Sequence, residues 1–354
     1  MEVATINIFL TGSTGFLGGR LIKNLVNQHH HLYVLVRDLE KANKIKSSIE
    51  ESKQKQIHFI KGDITKADCG LSEDIINELK DHVDLFYHLA ALVKFDFELE
   101  KELHEINYKG TKHALDLAVT FHSKKFYYVS TAYTVGKMNH GVEELYPIDT
   151  PNNNPYEDSK IKSEHLVFSY QEKLEISIFR PSIIVGDSKT GQADSNFTLY
   201  GFIRGLEVFK KRMERKSEYE KTVYHLIGNK EGTSNLVPVD YVCDILTVAV
   251  EKAQKNRIYA IVNTNPPTNF AILERIKEAL KFDNLAIVGK KSIALLSKEE
   301  TTLNTMIKVF DPYLDRKIIF EDSNTRELIA DTNVEYLNMD NHMLNTIIQG
   351  YRFS

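Results

Sequence analysis

Cysteine is scarce in this sequence. Cys69 and Cys243 are the only two in 354 residues, and they form no CxxC pair. That excludes a disulfide framework and fits a reducing compartment. No run of 18 apolar residues is present to span a bilayer. The apolar start has no cationic leader and runs straight into a glycine turn, so it reads as a strand rather than a secretory signal. No internal repeat is present, and no linker rich in Gly, Pro or Ser. The formal net charge is only -4, which gives no electrostatic footprint for nucleic acid. These absences leave a soluble, cytoplasmic protein as the expectation, with peripheral membrane contact open and no nucleic-acid partner.

What is present is an alternation of strand and helix patterns. Short apolar runs at 5–10, 31–37, 56–63, 83–91, 125–132 and 175–186 read as strands. Between them, helical spacing is expected after residue 16, around 39–50, over 71–80 with Ser72 as a cap, over 99–121 and over 155–173. Such repetition predicts an α/β fold with a doubly wound parallel sheet. Ligands in such sheets bind beyond the carboxyl ends of the strands. The rhythm weakens after residue 186 and returns at 236–263, where a helix and another strand rejoin the main sheet. The expected division is therefore 1–186 plus 236–263 as the nucleotide-binding domain. Residues 187–235 plus 264–354 form a smaller substrate-binding region.

The first strand ends in TGSTGFLGGR, residues 11–20. Gly12 would make the turn, Gly15 would admit a pyrophosphate, and Gly18 would let helix and strand pack closely. The spacing is GxxGxxG rather than GxGxxG, and a plain strand-to-helix turn is the other reading. At the end of the second strand, Arg37 offers a fork of donors for a 2′-phosphate, which favours NADP. The adjacent Asp38 is the alternative, as a ribose acceptor that would suit NAD. Asp63, after the third strand, would face adenine or cap the following turn. Ser130 and Thr131 lie at the end of the fifth strand, where a hydroxyl would bond a substrate carbonyl or serve as a cap. Tyr156 and Lys160 are four apart and share a helical face. A nearby ammonium favours the phenolate form and suits proton transfer near neutral pH.

Taken in order, TGSTGFLG, GDI, YHLAA, NYKGT, YYVSTAY, YEDSK and FRPSIIVG resemble the extended short-chain dehydrogenase/reductase superfamily over roughly residues 1–265. TGSTGFLG with LVRD, YYVSTAY, SIIVG and NLVPVDYV is similar, more narrowly, to its fatty acyl-CoA reductase and thioester reductase branch. The resemblance implies a Rossmann-type sheet, often in homodimers, with Thr131, Tyr156 and Lys160 catalytic. It implies cofactor contacts from Gly12, Thr14, Gly15, Phe16, Leu17, Gly18, Arg37, Asp63, Ile64, Leu89, Ala90, Ala91, Asn107, Ser130, Tyr156, Lys160, Pro181 and Ser182. The activity implied is NADPH-dependent reduction of a CoA-linked or carrier-linked acyl thioester to aldehyde and on to alcohol. Alternatives are an NAD(P)-dependent sugar-nucleotide epimerase/dehydratase, a hydroxysteroid-type dehydrogenase, or a non-catalytic nucleotide-binding regulatory protein.

Two further features invite function. The segment 201–221 carries Phe202, Ile203, Leu206, Val208 and Phe209 beside Arg204, Lys210, Lys211, Arg212, Arg215 and Lys216. It would meet a CoA phosphate, an acidic carrier or anionic lipid, or be an ordinary amphipathic helix carrying Glu207, Glu214 and Glu218. The run His29-His30-His31 has no Cys or carboxylate framework at ligand spacing, so it reads as a polar surface turn and no metal is expected. His88 is expected to be structural or near the cofactor, and Asp240 structural.

Overall fold

The structure, a computed structural model, describes residues 5–193, 199–216 and 218–353. Part of the long mixed segment, 194–198, and residue 217 of the basic segment lie outside the described residues.

Seven strands form one parallel sheet: β1 (Asn7–Thr11), β2 (His31–Val36), β3 (Ile57–Lys61), β4 (Leu85–His88), β5 (Lys125–Val129), β6 (Glu175–Pro181) and β7 (Arg257–Ile261). Their spatial order is β7-β6-β5-β4-β1-β2-β3. The order reverses between β1 and β4, and a doubly wound sheet opens its ligand crevice at that switch point. β1 lies centrally, with Phe9 opposite Tyr33 on one side and Phe86 on the other. Its residues Ile8, Phe9 and Leu10 are fully buried, as expected of a strand covered by helices on both faces.

The helices that position the site are α1 (Phe16–Asn27), α2 (Leu39–Ser47), α3 (Glu73–Leu79), α4 (Gly110–Thr120), α5 (Pro155–Phe168) and α6 (Val239–Lys252). The aromatic residues of the strands divide between the two faces of the sheet. On one face the rings of Phe9 and Phe86 lie 4.8 Å apart, and those of Phe86 and Phe126 5.3 Å apart. On the other, Tyr87 packs edge-on to Tyr127 at 5.3 Å, and Phe179 stacks on Tyr259 at 5.2 Å. Burying each such ring contributes ~1.5–3 kcal/mol. The two tyrosines also donate hydrogen bonds to α6 carbonyls, Tyr87 Oη to Leu246 O at 2.7 Å and Tyr127 Oη to Ala249 O at 3.1 Å. A phenylalanine at either position would remove that second bond to a helix carbonyl.

Contacts divide the chain into two units. The first comprises Met1–Pro181, Tyr241–Ile261 and Glu321–Tyr336; the second comprises Ser182–Asp240, Val262–Phe320 and Leu337–Ser354. Residues 321–336 therefore join the sheet-bearing unit. There Asn324 Nδ2 donates to Ile258 O at 2.9 Å and Thr325 Oγ1 to Ala260 O at 2.8 Å, tying the segment to β7. Leu236–Pro238 does not enter the main sheet; it pairs in parallel with Ile183–Val185. Within the second unit, Tyr224–Ile227 pairs in parallel with Leu285–Val288.

Several local expectations change. Ser72 stands at the cap position of α3 but makes no side-chain capping bond. α5 stops at Phe168 rather than continuing to 173. The helix expected over 99–121 is interrupted by a π-turn at His104–Lys109, and α4 begins after it.

Candidate active site

The glycine turn joins β1 to α1. Gly12 has φ +79°, and a Cβ there would lie 2.5 Å from Ala90 N and 2.7 Å from Leu89 C, so the turn closes against the chain leaving β4. A Cβ on Gly18 would lie 2.3 Å from Gly12 O, which makes Gly18 the close-packing position. Gly15 donates its N–H to Gly12 O at 3.2 Å and takes the N-cap position of α1. No side chain caps this helix and no acidic residue stands in its first turn, leaving the first-turn N–H groups available to an anion. Thr14 and Gly15 are exposed, and Phe16 and Leu17 half-buried. The Ser13 hydroxyl is buried with no hydrogen-bond partner among the described residues.

At the end of β2, Asp38 caps α2: its Oδ1 accepts from Glu40 N at 2.9 Å and Lys41 N at 3.2 Å. The carboxylate is thus engaged, while Arg37 is exposed. Asp63 Oδ1 accepts from Thr65 N at 2.9 Å and Thr65 Oγ1 at 2.8 Å, so it caps the turn after β3. Burial opposes ionisation of Asp63, but the Thr65 bonds with the Arg37 and Lys66 charges outweigh it and hold the carboxyl below its usual range. Ile64 is buried and its carbonyl is 2.8 Å from His113 Nδ1. Leu89, Ala90 and Ala91 are half-buried, with Ala90 N 3.4 Å from Thr11 Oγ1.

The chemical residues converge on the ends of β5 and α5. Asn154 caps α5, accepting from Glu157 N at 3.0 Å, and Pro155 opens the helix. Tyr156 follows, and Lys160 lies one turn further on the same face. Lys160 Nζ donates to the Val129 carbonyl at 2.8 Å and to Tyr128 Oη at 2.8 Å. These bonds hold α5 against the strand end where Ser130 and Thr131 stand. Thr131 Oγ1 accepts from Tyr133 N at 3.3 Å, which leaves its O–H to donate. The Ser130 N–H donates to Phe179 O at 2.7 Å, and its buried hydroxyl has no partner among the described residues. Pro181 closes β6 opposite Ile261; Ser182 is buried and its hydroxyl is also without a partner among the described residues.

The electrostatics differ from the expectation that Lys160 lowers the Tyr156 pKa. Burial first, then the Glu157 charge, raises the Tyr156 phenol above its ordinary value. Burial pushes Lys160 down to about 7, against the opposing pull of Glu164. The lysine is 1% exposed, so desolvation dominates.

The Asn107 side chain makes three hydrogen bonds within the protein. Its Nδ2 donates to Leu92 O at 3.0 Å and Ser159 Oγ at 2.9 Å, and its Oδ1 accepts from Leu92 N at 2.7 Å. It sits in the π-turn and ties the chain after β4 to α5. His88 is fully buried between Thr11 Oγ1 at 2.8 Å and Thr111 Oγ1 at 3.1 Å, and burial drives its pKa down to about 3, so it is structural. Two residues escaped the sequence reading: Tyr128, the phenol partner of Lys160, and Phe95, whose ring lies 5.9 Å from that of Tyr156. The adjacent tyrosines that open YYVSTAY were the available signal for Tyr128; nothing in the sequence marked Phe95.

Elsewhere, Asp240 accepts from Ser188 N at 2.9 Å and Ser188 Oγ at 2.5 Å, a structural role. The basic segment begins as the helix Leu199–Met213, with Phe202, Ile203, Leu206 and Phe209 buried and Val208 exposed. Arg204 and Lys211 both pair with Glu207, and Lys210 pairs with Glu214. The histidine run is not wholly a surface turn, because His30 is 1% exposed. Among the described residues no cluster of three or more His, Cys, Asp or Glu side chains could hold a metal, and no helix is long and apolar enough to cross a membrane.

The uncapped helix start, the two crowded glycines and the orphaned Ser13 and Ser130 hydroxyls fit a dinucleotide along the strand ends. Comparisons agree. The sequence model of the family described as male sterility protein matches residues 10–246. L-2-aminoadipate reductase large subunit of Eremothecium gossypii is 24% identical over 94% of this chain and 26% of its own length. Fatty acyl-CoA reductase wat of Drosophila melanogaster is 26% identical over 71% of this chain and 55% of its own length. The chain therefore spans about a quarter of the first relative and about half of the second. The crystal structure of the terminal R domain from the myxalamid PKS-NRPS biosynthetic pathway shares the fold at TM-score 0.80 and 23% identity, over 98% of this chain and 90% of that one. The dTDP-glucose 4,6-dehydratase DesIV from Streptomyces venezuelae does so at TM-score 0.66 and 17% identity, over 98% and 97%. The chain belongs to the family described as male sterility protein, whose model spans two thirds of it.

Proposed function

We propose that this chain is an NADPH-dependent reductase of acyl thioesters, CoA-linked or carrier-linked, with the aldehyde as first product and the alcohol as second. The observation that carries the reading is the pinning of Lys160 to the Val129 carbonyl, which sets Tyr156 and Lys160 beside the strand end bearing Thr131. The relatives, reductases of fatty acyl-CoA and of L-2-aminoadipate, support a thioester or activated acyl group over a sugar. NADPH is favoured over NADH because Asp38 is occupied as a helix cap while Arg37 is exposed.

In this reading the α1 N-terminus, Gly12, Gly15 and Ser13 hold the pyrophosphate, and Arg37 meets the 2′-phosphate. The reduced nicotinamide supplies hydride. Thr131 and Tyr156 donate hydrogen bonds to the acyl oxygen, where negative charge develops. Tyr156 then yields its proton to that oxygen, giving a thiohemiacetal. The C–S bond of the thiohemiacetal breaks, its hydroxyl proton passes to the departing thiolate, and aldehyde and free thiol result. A second NADPH is needed to take the aldehyde to alcohol. The raised pKa of Tyr156 keeps it protonated at neutral pH, as a proton donor must be. Lys160 orients ribose hydroxyls and, when cationic, eases departure of the proton from Tyr156. Phe95 excludes water beside the phenol.

The test is oxidation of NADPH against NADH by purified protein with acyl-CoA thioesters from short to long chains, alongside Tyr156→Phe. Thioester-dependent NADPH loss that the variant abolishes supports the reading. Turnover of a nucleotide sugar with NAD and none with any thioester would replace it with the epimerase/dehydratase alternative.

A further inference from the structure

We propose that Tyr128 is the positioning residue of Lys160, its phenol oxygen and the Val129 carbonyl together fixing the amine at the end of β5 so that one N–H remains directed to the reaction. The inference rests on the reading of Lys160 as a member of the catalytic set.

A lysine side chain is flexible and carries three donors. Two of them are already committed, at 2.8 Å to Tyr128 Oη and at 2.8 Å to Val129 O. The Nζ also lies 4.3 Å from the centre of the Tyr128 ring. The charged and titratable surroundings offer little else. Glu164, on the same helix, is held bidentately by Arg180 at 2.6 and 2.9 Å. His88, from β4, is neutral at working pH. Tyr156 is a neutral phenol. Tyr128 itself is raised by burial and stays protonated; the hydroxyls of Ser163 and Thr111 also act on it. The ammonium form of Lys160 is therefore supported by the Glu164 charge and by two oxygen dipoles, of which the side chain of Tyr128 supplies one.

Removing that oxygen leaves a buried cation with one acceptor and favours the neutral amine. Tyr128→Phe keeps the ring that stacks on His88 at 5.8 Å. It should displace the alkaline limb of the kcat/KM profile downward by about one pH unit, a tenfold loss on that limb, with thermal stability little changed. The same displacement should appear in NADPH affinity followed by fluorescence from pH 6 to 10, which requires no substrate. A residue serving only as packing would leave both profiles in place. Tyr128→Gln retains an acceptor without the ring and should keep the limb near its wild-type position. It decides the question if the Phe variant fails to fold, since a Gln limb displaced by a full unit would overturn the proposal. Lys160→Met separates the two readings. If it reduces thioester as wild type does, the catalytic reading of Lys160 fails. If it is inactive while Tyr128→Phe traces the wild-type profiles, only the role of Tyr128 falls.

Discussion

Replacing Gly12 by alanine tests the geometry of the nucleotide turn. Two costs add. The backbone at φ +79° is left-handed, a conformation that costs a residue with a Cβ ~1–2 kcal/mol. The new methyl would also start 2.5 Å from Ala90 N, and overpacking against backbone costs ~1–3 kcal/mol. The sum, ~2–5 kcal/mol, is a large share of the ~5–15 kcal/mol that holds a native protein together. At ~2–4 °C per kcal/mol for a unit of this size, the melting transition should fall by ~4–20 °C. Gly15→Ala supplies the contrast. Its backbone is extended at φ -83°, which any residue adopts, and its Cβ would meet only Gly12 O at 3.3 Å. Its melting temperature should fall by no more than ~4 °C, while dinucleotide affinity drops because the methyl intrudes where pyrophosphate approaches. Circular dichroism melts and fluorescence titration with NADPH measure both. Equal melting temperatures for the two variants would refute the turn geometry argued here.

Arg37→Ala should weaken NADPH binding about tenfold and leave NADH binding unchanged, reflecting loss of an exposed charge-assisted contact; equal weakening of both cofactors in titration would remove Arg37 from phosphate recognition. Glu164→Ala strands Arg180, which is 1% exposed and also donates to Val142 O and Glu144 O, and should cost ~3–5 kcal/mol in urea unfolding. A loss under ~1 kcal/mol would contradict a closed pair. His88 gives a pH signature. Its folded pKa, about 3, lies below the unfolded value near 6.5, so the unfolded chain takes up the proton first and stability drains away as pH falls from 6.5 toward 3. His88→Gln should flatten that limb in acid unfolding followed by circular dichroism; an unchanged slope would show that His88 does not set it.

The sheet was legible because its strands are short apolar runs punctuated by glycine or polar residues, and a strand buried on both faces needs little else. The order TGSTGFLG to FRPSIIVG then pointed to candidate residues at the strand ends and on α5. α5 shows what pattern could not reach. Tyr156, Glu157, Ser159, Lys160, Ser163 and Glu164 are all buried, so polar groups lie inside and no amphipathic stripe marks the core side. At Asp38 and Asp63 the structure adds what sequence does not place, the local N–H groups of Glu40, Lys41 and Thr65 that the carboxylates accept from. The Lys160 prediction failed on desolvation: helical spacing reveals proximity to Tyr156 but not the loss of water around the amine. Residues 321–336 joined the sheet unit through Asn324 and Thr325, contacts with β7 that no periodicity announces.

The interleaving of the two units has a consequence for how the chain is made. β6 ends at Pro181, and β7, the strand that covers its outer edge, begins at Arg257, 76 residues later (257 − 181). A ribosome adding roughly 5–20 residues per second leaves that edge without its partner for on the order of 4–15 s. An unpaired parallel edge rich in Ile and Phe is a template for other chains. The β6 edge of the nascent protein is thus open to other chains during synthesis of 182–256, before β7 has emerged to pair with it.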